Sequence, residues 1–189
     1  MALPRHLLVA MAKHPDVEEV HLAVSKGAVQ VLKHETEFAG NVIEALVATA
    51  RLQPDWRQKI SIYRENELDA PISSGSFTLT GTAIVPCSAG TAGALATGAA
   101  GTLVHRAGAV ALKERWPLVL GFRETPLTVI HLENLRRLAY LGATILPPMP
   151  AFYVGGEDFD RFLDHYVLRV LDAFGIHEPG EPGLRWKSD

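Results

Sequence analysis

One repeating unit constrains this chain more than any other feature: a short apolar strand, a small polar residue, then a helix. Val20-His21-Leu22-Ala23-Val24 reads as a strand that stops at Ser25, with helical Lys26 to Lys33 behind it. Thr82-Ala83-Ile84-Val85-Pro86 is a second strand, followed by Cys87-Ser88-Ala89-Gly90-Thr91 and a small-residue helix from Ala92 to Ala99. Leu118-Val119-Leu120-Gly121-Phe122 is a third, ending at Arg123, and Ala143-Thr144-Ile145-Leu146 a fourth, ending at Pro147-Pro148. Between these two, Leu127, Ile130, Leu135, Leu138 and Leu141 mark an amphipathic helix. A last helix shows in Phe159, Phe162, Leu163, Tyr166, Val167, Val170, Leu171 and Phe174, spaced by three- and four-residue steps. Arg5 to Lys13 offers another helical face, closed by His14-Pro15. Such alternation predicts an α/β domain, a parallel sheet covered on both faces. Asn41 to Glu67, with a helical stretch (Val42 to Leu52) and a polar one (Arg57 to Glu67), finds no place in that sheet by pattern alone.

At 189 residues the chain is long enough for one domain whose core needs no covalent staple. We read residues 1–176 as that domain and 177–189, rich in Pro, Gly and charge, as a C-terminal tail. Eighteen Lys and Arg against 21 Asp and Glu give a net charge of −3, with no basic block. Non-specific nucleic-acid binding, which rests on phosphate attraction, is therefore excluded. One cysteine, Cys87, rules out an intramolecular disulfide and a multi-cysteine zinc site. The eight histidines show no compact ligand spacing, so no metal is expected. No apolar run reaches the ~18–20 residues of a membrane span, and no signal peptide is read, so a cytoplasmic protein with no membrane partner is expected.

Parallel sheets of this kind bind ligands at the carboxyl ends of their strands. That rule nominates Ser25, Cys87 to Thr91, Arg123 with Glu124, and the loop from Pro147 to Tyr153. Ser88-Ala89-Gly90-Thr91-Ala92-Gly93 can cradle an anion with backbone N–H groups and two hydroxyls, or can simply be a tight turn with Ser88 as N-cap. No Gly-Lys-Ser/Thr follows, so it is not a Walker A loop. Arg106, Lys113, Arg123 and Arg169 are cations in or beside apolar segments. Arg123 points toward the expected crevice, or else pairs with Glu124 or Glu114; Arg169 either serves a ligand or snorkels to solvent. Cys87 reads as an inert small hydrophobe. The residues alone reach an α/β domain that binds an anionic ligand.

Several ordered motifs add a resemblance. Val85-Pro86-Cys87-Ser88 with Thr91, Leu103-Val104-His105-Arg106-Ala107, and Ala111-Leu112-Lys113-Glu114-Arg115 resemble the UbiX-like flavin prenyltransferase family, among the HFCD-type flavoproteins. So do Arg123-Glu124-Thr125-Pro126-Leu127, His131-Leu132-Glu133-Asn134, and above all Ile145-Leu146-Pro147-Pro148-Met149-Pro150-Ala151-Phe152-Tyr153. Val24-Ser25-Lys26-Gly27-Ala28 and Ser74-Gly75-Ser76-Phe77 fit too, so the match runs from His6 to about Ile176.

The resemblance implies a Rossmann or flavodoxin-like three-layer α/β/α fold, here without the family's first strand and Gly-rich FMN phosphate loop. It implies metal-independent transfer of dimethylallyl from dimethylallyl phosphate to reduced FMN, giving prenylated FMN for a UbiD-type decarboxylase. A trimer-based homo-oligomer, a dodecamer in the family, is expected with it. Carried over by position, Ser25, Ser88, Ala89, Gly90, Thr91 and Arg123 hold FMN. Lys113, Tyr153 and Arg169 bind dimethylallyl phosphate, and Glu124 and Lys113 assist catalysis. Arg106 lies in a matching segment. Gly90 stands where a lysine is usual in the Cys-Ser-Met-Lys-Thr loop, and Ala89 where methionine is. Extra residues also lie between Lys33 and Ser74. The competing readings are a flavoprotein cysteine decarboxylase, whose Pro-Ala-Ser-Ala-Asn-Thr loop is similar, and a non-catalytic flavin-binding or decarboxylase-associated subunit. The missing asparagine and the Pro-Pro-Met-Pro-Ala-Phe-Tyr segment favour the prenyltransferase.

Overall fold

The computed structural model describes residues 2–35, 52–152, 158–177 and 184–185. Tyr153, most of the helical stretch read at Val42 to Leu52, and most of the tail lie outside them. In chain order the elements are α1 (Ala2–Lys13), β1 (Val20–Val24), α2 (Lys26–Glu35), the single-turn α3 (Pro54–Gln58) and β2 (Ile60–Arg64). Then come a 3-10 turn at Pro71–Ser73, β3 (Thr82–Cys87), α4 (Ala89–Thr97), α5 (Leu103–Glu114) and β4 (Leu118–Phe122). The series closes with α6 (Val129–Tyr140), β5 (Thr144–Ile145) and α7 (Phe159–Ala173).

All strand pairs are parallel, in two ladders: β1–β2, and β3–β4–β5 with an irregular register between Ile84 and Cys87. Helices join the ladders, since α1 and α5 each pack on both β1 and β3. β4 is buried at every residue, which explains its unbroken apolar run where a half-exposed strand would alternate. Side chains alternate between two cores. Ile84, Leu118, Leu120 and Phe122 pack with α4, α5 and α6 through Leu95, Ala111 and Leu138. Ala83, Val85 and Val119 face the other way, toward Leu7 of α1 and Val167, Val170 and Leu171 of α7. That is the three-layer arrangement. Leu120 is fully buried in the first core. Leu120→Ala should therefore cost about 2–5 kcal/mol in urea unfolding, with Leu68→Ala, at an exposed site, within about 0.5 kcal/mol of wild type.

Two elements depart from the pattern reading. β2 arises from the stretch that found no place; Ile60 and Ile62 alternate with Ser61 and Tyr63 and pair with Val20 and Leu22. α4 begins at Ala89, so Ala89, Gly90 and Thr91 form the first turn of a helix and not a loop ahead of it.

Helix direction sets the geometry of the site. α5 starts beside the carboxyl end of β2, where Leu103 N donates to Glu65 O at 2.7 Å. It ends beside the amino ends of β3 and β4, where Thr82 N donates to Pro117 O at 2.9 Å. α7 is likewise antiparallel to the strands: the Tyr166 hydroxyl donates to Leu146 O at 2.6 Å, while Phe174 packs against Gly81, just before β3. The N-termini of α2 and α4 follow β1 and β3 across one intervening residue, so their positive dipole ends lie at the carboxyl edge, while six residues separate β4 from α6.

Candidate functional site

The carboxyl edge is built from three strand ends. Ser25 follows β1, and its Oγ accepts Ala28 N at 3.1 Å, capping α2. Among the described residues no acceptor takes its hydroxyl proton. Ser88 follows β3 and caps α4, accepting Thr91 N at 3.1 Å. Ser88 Oγ and Thr91 Oγ1 lie 3.0 Å apart and share one hydrogen bond in either direction. Two hydroxyls spending one proton on each other leave the second for a ligand. The cap is observed, and it leaves a hydroxyl proton with which an anion could still be bound. Ala89 and Gly90 add first-turn N–H groups without an intrahelical acceptor, and a Cβ at Gly90 would meet nothing nearer than Ser88 Oγ at 3.9 Å.

Arg123 follows β4, and its backbone N–H donates to Cys87 O at 3.2 Å, tying the ends of β3 and β4 together. Neither carboxylate considered for it takes the guanidinium: Glu114 Oε1 holds Lys113 Nζ at 2.8 Å, and Glu124 Oε1 accepts Thr125 N at 3.1 Å. Among the described residues Arg123 has no ion pair, so its charge is available to a ligand. Cys87 is fully buried, and burial pushes its thiol up to about 12, which leaves it inert.

Pattern reading missed Glu65, at the carboxyl end of β2. Its Oε2 accepts Lys26 N at 2.9 Å, fixing the start of α2 beside Ser25. The clue was the alternation in Ile60-Ser61-Ile62-Tyr63, visible only once that stretch is taken as a strand.

The remaining candidates sit on helices and not at strand ends. Lys113, at the end of α5, sits near the amino end of β4 beside Gly75. The five residues of β4 alone put roughly 16 Å between that level and Arg123. Arg106 also faces the Pro71–Ser73 turn, its Nε donating to Ser73 O at 3.0 Å. Arg169 lies on α7 one turn past Tyr166, and its Nη1 donates to Asp172 Oδ2 at 3.0 Å. Strand ends thus carry Ser25, Ser88, Arg123 and Glu124, with Ala89, Gly90 and Thr91 in the first turn of α4, while Lys113 belongs to the opposite level of the sheet. Tyr153 lies outside the described residues. Among those residues, no cluster of three or more His, Cys, Asp or Glu is placed to hold a metal ion, and no helix is long and apolar enough to cross a membrane.

A family model described as Flavoprotein matches residues 6–160. The chain is 42% identical over 183 residues to the flavin prenyltransferase LpdB of Lactiplantibacillus plantarum, covering 97% of this chain and 90% of the relative. It is 40% identical to the flavin prenyltransferase UbiX of Pseudomonas aeruginosa, over 89% of this chain and 80% of that one. Among solved structures, a dodecameric FMN-dependent UbiX-like decarboxylase from Escherichia coli O157:H7 superposes with a TM-score of 0.82 at 38% identity, covering 99% of this chain and 93% of the other. AnUbiX (PadA1), in complex with FMN and dimethylallyl pyrophosphate, superposes with a TM-score of 0.79 at 36% identity, covering 99% and 91%. With a matching family model over most of its length and this likeness along nearly the whole of it, the chain belongs to the UbiX-like flavin prenyltransferase family.

Proposed function

We propose that this protein transfers the dimethylallyl group of dimethylallyl phosphate to reduced FMN, giving prenylated FMN for a UbiD-type decarboxylase. The observation that carries this reading is Arg123, without an ion pair among the described residues and tied by its backbone to Cys87 just before α4, in a chain of this ancestry. The residues fit a flavin. Small side chains at Ala89 and Gly90 admit a flat ring system, hydroxyl protons at Ser25 and the Ser88–Thr91 pair point to acceptors, and Arg123 supplies a cation. Reduced FMN supplies the nucleophilic ring system that the allylic carbon joins as its bond to phosphate breaks. Glu124, exposed at the same edge, is placed to move a proton there. Arg123→Ala should weaken FMN binding by about tenfold or more, the scale of one charge-assisted contact at ~1.5–3 kcal/mol, read by fluorescence titration. Unchanged affinity would remove Arg123 from the flavin site.

The site is completed between copies of the chain. The length of β4 separates the level of Lys113 from Arg123 in one chain, and a relative of the same fold is dodecameric. The surface beside Arg123 suits such assembly. Val129, Ile130 and Tyr140 of α6 are 69%, 67% and 89% exposed, and Leu127, Leu132 and Leu141 are exposed around them. Apolar surface of that extent marks a protein contact. Ile130→Glu should break the assembly into smaller species in light scattering and lower prenylation with it; an unaltered assembly would place the interface elsewhere.

A further inference from the structure

Asp172 gathers more positive charge than a surface ion pair needs. It lies on α7 one turn past Arg169, with its side chain 13% exposed. Arg169 Nη1 donates to Oδ2 at 3.0 Å, while Arg185 donates through Nη1 to Oδ2 at 3.0 Å and through Nη2 to Oδ1 at 2.7 Å. His177 Nδ1 stands 3.6 Å from Oδ1. Burial alone would raise the Asp172 carboxyl, but Arg185, His177 and Arg169 together hold it below its ordinary value. His165, one turn before Arg169, has its imidazole lowered by burial and by Arg169 and Arg185, so it stays neutral near pH 7.

Arg185 is brought there by the C-terminal residues. Leu184, 4% exposed, packs against Leu168 of α7 and Ala151 of the Pro147–Phe152 segment. The tail is thus anchored at residues 184–185 on the helix that carries Arg169. Both Nη1 atoms bond the same carboxylate oxygen and so stand within about 6 Å of each other, a separation at which two cations repel unless a charge lies between them. Two guanidiniums against one carboxylate leave a net positive charge. Arg169 spends only Nη1 on Asp172, and its side chain is 54% exposed, so its other donors face outward. Guanidinium forks match phosphate oxygens in pairs.

We propose that Asp172, clamped by the Arg185 fork, is a positioning residue that orients Arg169 toward the phosphate of the allylic donor, with Arg185 acting through Asp172. This rests on the prenyltransferase reading given above.

The test uses the assembled protein with reduced FMN and titrates dimethylallyl phosphate in wild type, Asp172→Asn, Asp172→Glu, Arg185→Gln and Arg185→Lys. Asp172→Asn and Arg185→Gln should raise the KM for dimethylallyl phosphate about tenfold, with kcat at saturating donor and FMN affinity within about twofold of wild type. Asp172→Glu should restore part of the loss, and Arg185→Lys, which keeps the charge but not the fork, should raise KM several-fold. A merely structural role would instead lower the melting temperature and weaken FMN binding while leaving KM alone. Calorimetric titration with inorganic phosphate gives a readout independent of turnover, and Arg185→Gln should weaken it to a similar degree. Wild-type KM and phosphate affinity in assembled Asp172→Asn and Arg185→Lys proteins would overturn the proposal. A wild type whose phosphate binding depends on Asp172 and Arg185 yet that forms no prenylated flavin would overturn the prenyltransferase reading and leave the positioning of Arg169 standing.

Discussion

Arg169→Ala should slow flavin prenylation by more than about tenfold while leaving FMN affinity unchanged. An allylic phosphate leaves only if its developing negative charge is neutralised, and in this account side chains do that work. Arg169 presents outward-facing N–H groups from α7, held by Asp172. Losing one charge-assisted contact of ~1.5–3 kcal/mol accounts for the loss in rate. FMN binding is spared because Arg169 is assigned to the other substrate. Single-turnover assays with reduced FMN and dimethylallyl phosphate read the effect. An unchanged rate would make Arg169 a solvated helix residue.

Lys113→Ala and Arg123→Ala proteins, each poorly active alone at low FMN, should recover activity when their subunits are assembled together. The length of β4 separates the levels of the two residues in one chain, and the proposed site draws them from different copies. In a random one-to-one mixture, about a quarter of the sites join an intact Arg123 to an intact Lys113. Mixing after dissociation and reassembly, followed by a prenylation assay, measures this. Activity that stays at the level of the separate variants would show that both residues serve a site within one chain.

The strands and their carboxyl-edge residues were legible because local chemistry writes them. An unbroken apolar run such as Leu118 to Phe122 announces a doubly buried strand, and the residue after it falls at the edge where ligands bind. β2 was not legible, because Ile60-Ser61-Ile62-Tyr63-Arg64 sits in a polar stretch and is identified only by its pairing with β1. α5 escaped the periodicity reading, although Thr102 caps it by accepting His105 N, and Leu103, Ala107, Val110 and Ala111 form its buried stripe. Its small residues give a weak hydrophobic contrast. The separation of Lys113 from Arg123 could not be read from sequence, since it depends on α5 running antiparallel to the strands. Nor could the Arg185–Asp172 contact, a long-range contact between a tail and a helix.

The most direct test of the central claim is to incubate the protein anaerobically with reduced FMN and dimethylallyl phosphate, then measure the mass of the flavin and the phosphate released. The expected result is a flavin heavier by one dimethylallyl-derived unit and one phosphate released for each flavin converted. A protein that binds FMN at Arg123 but returns it unmodified, with no phosphate released, would contradict it.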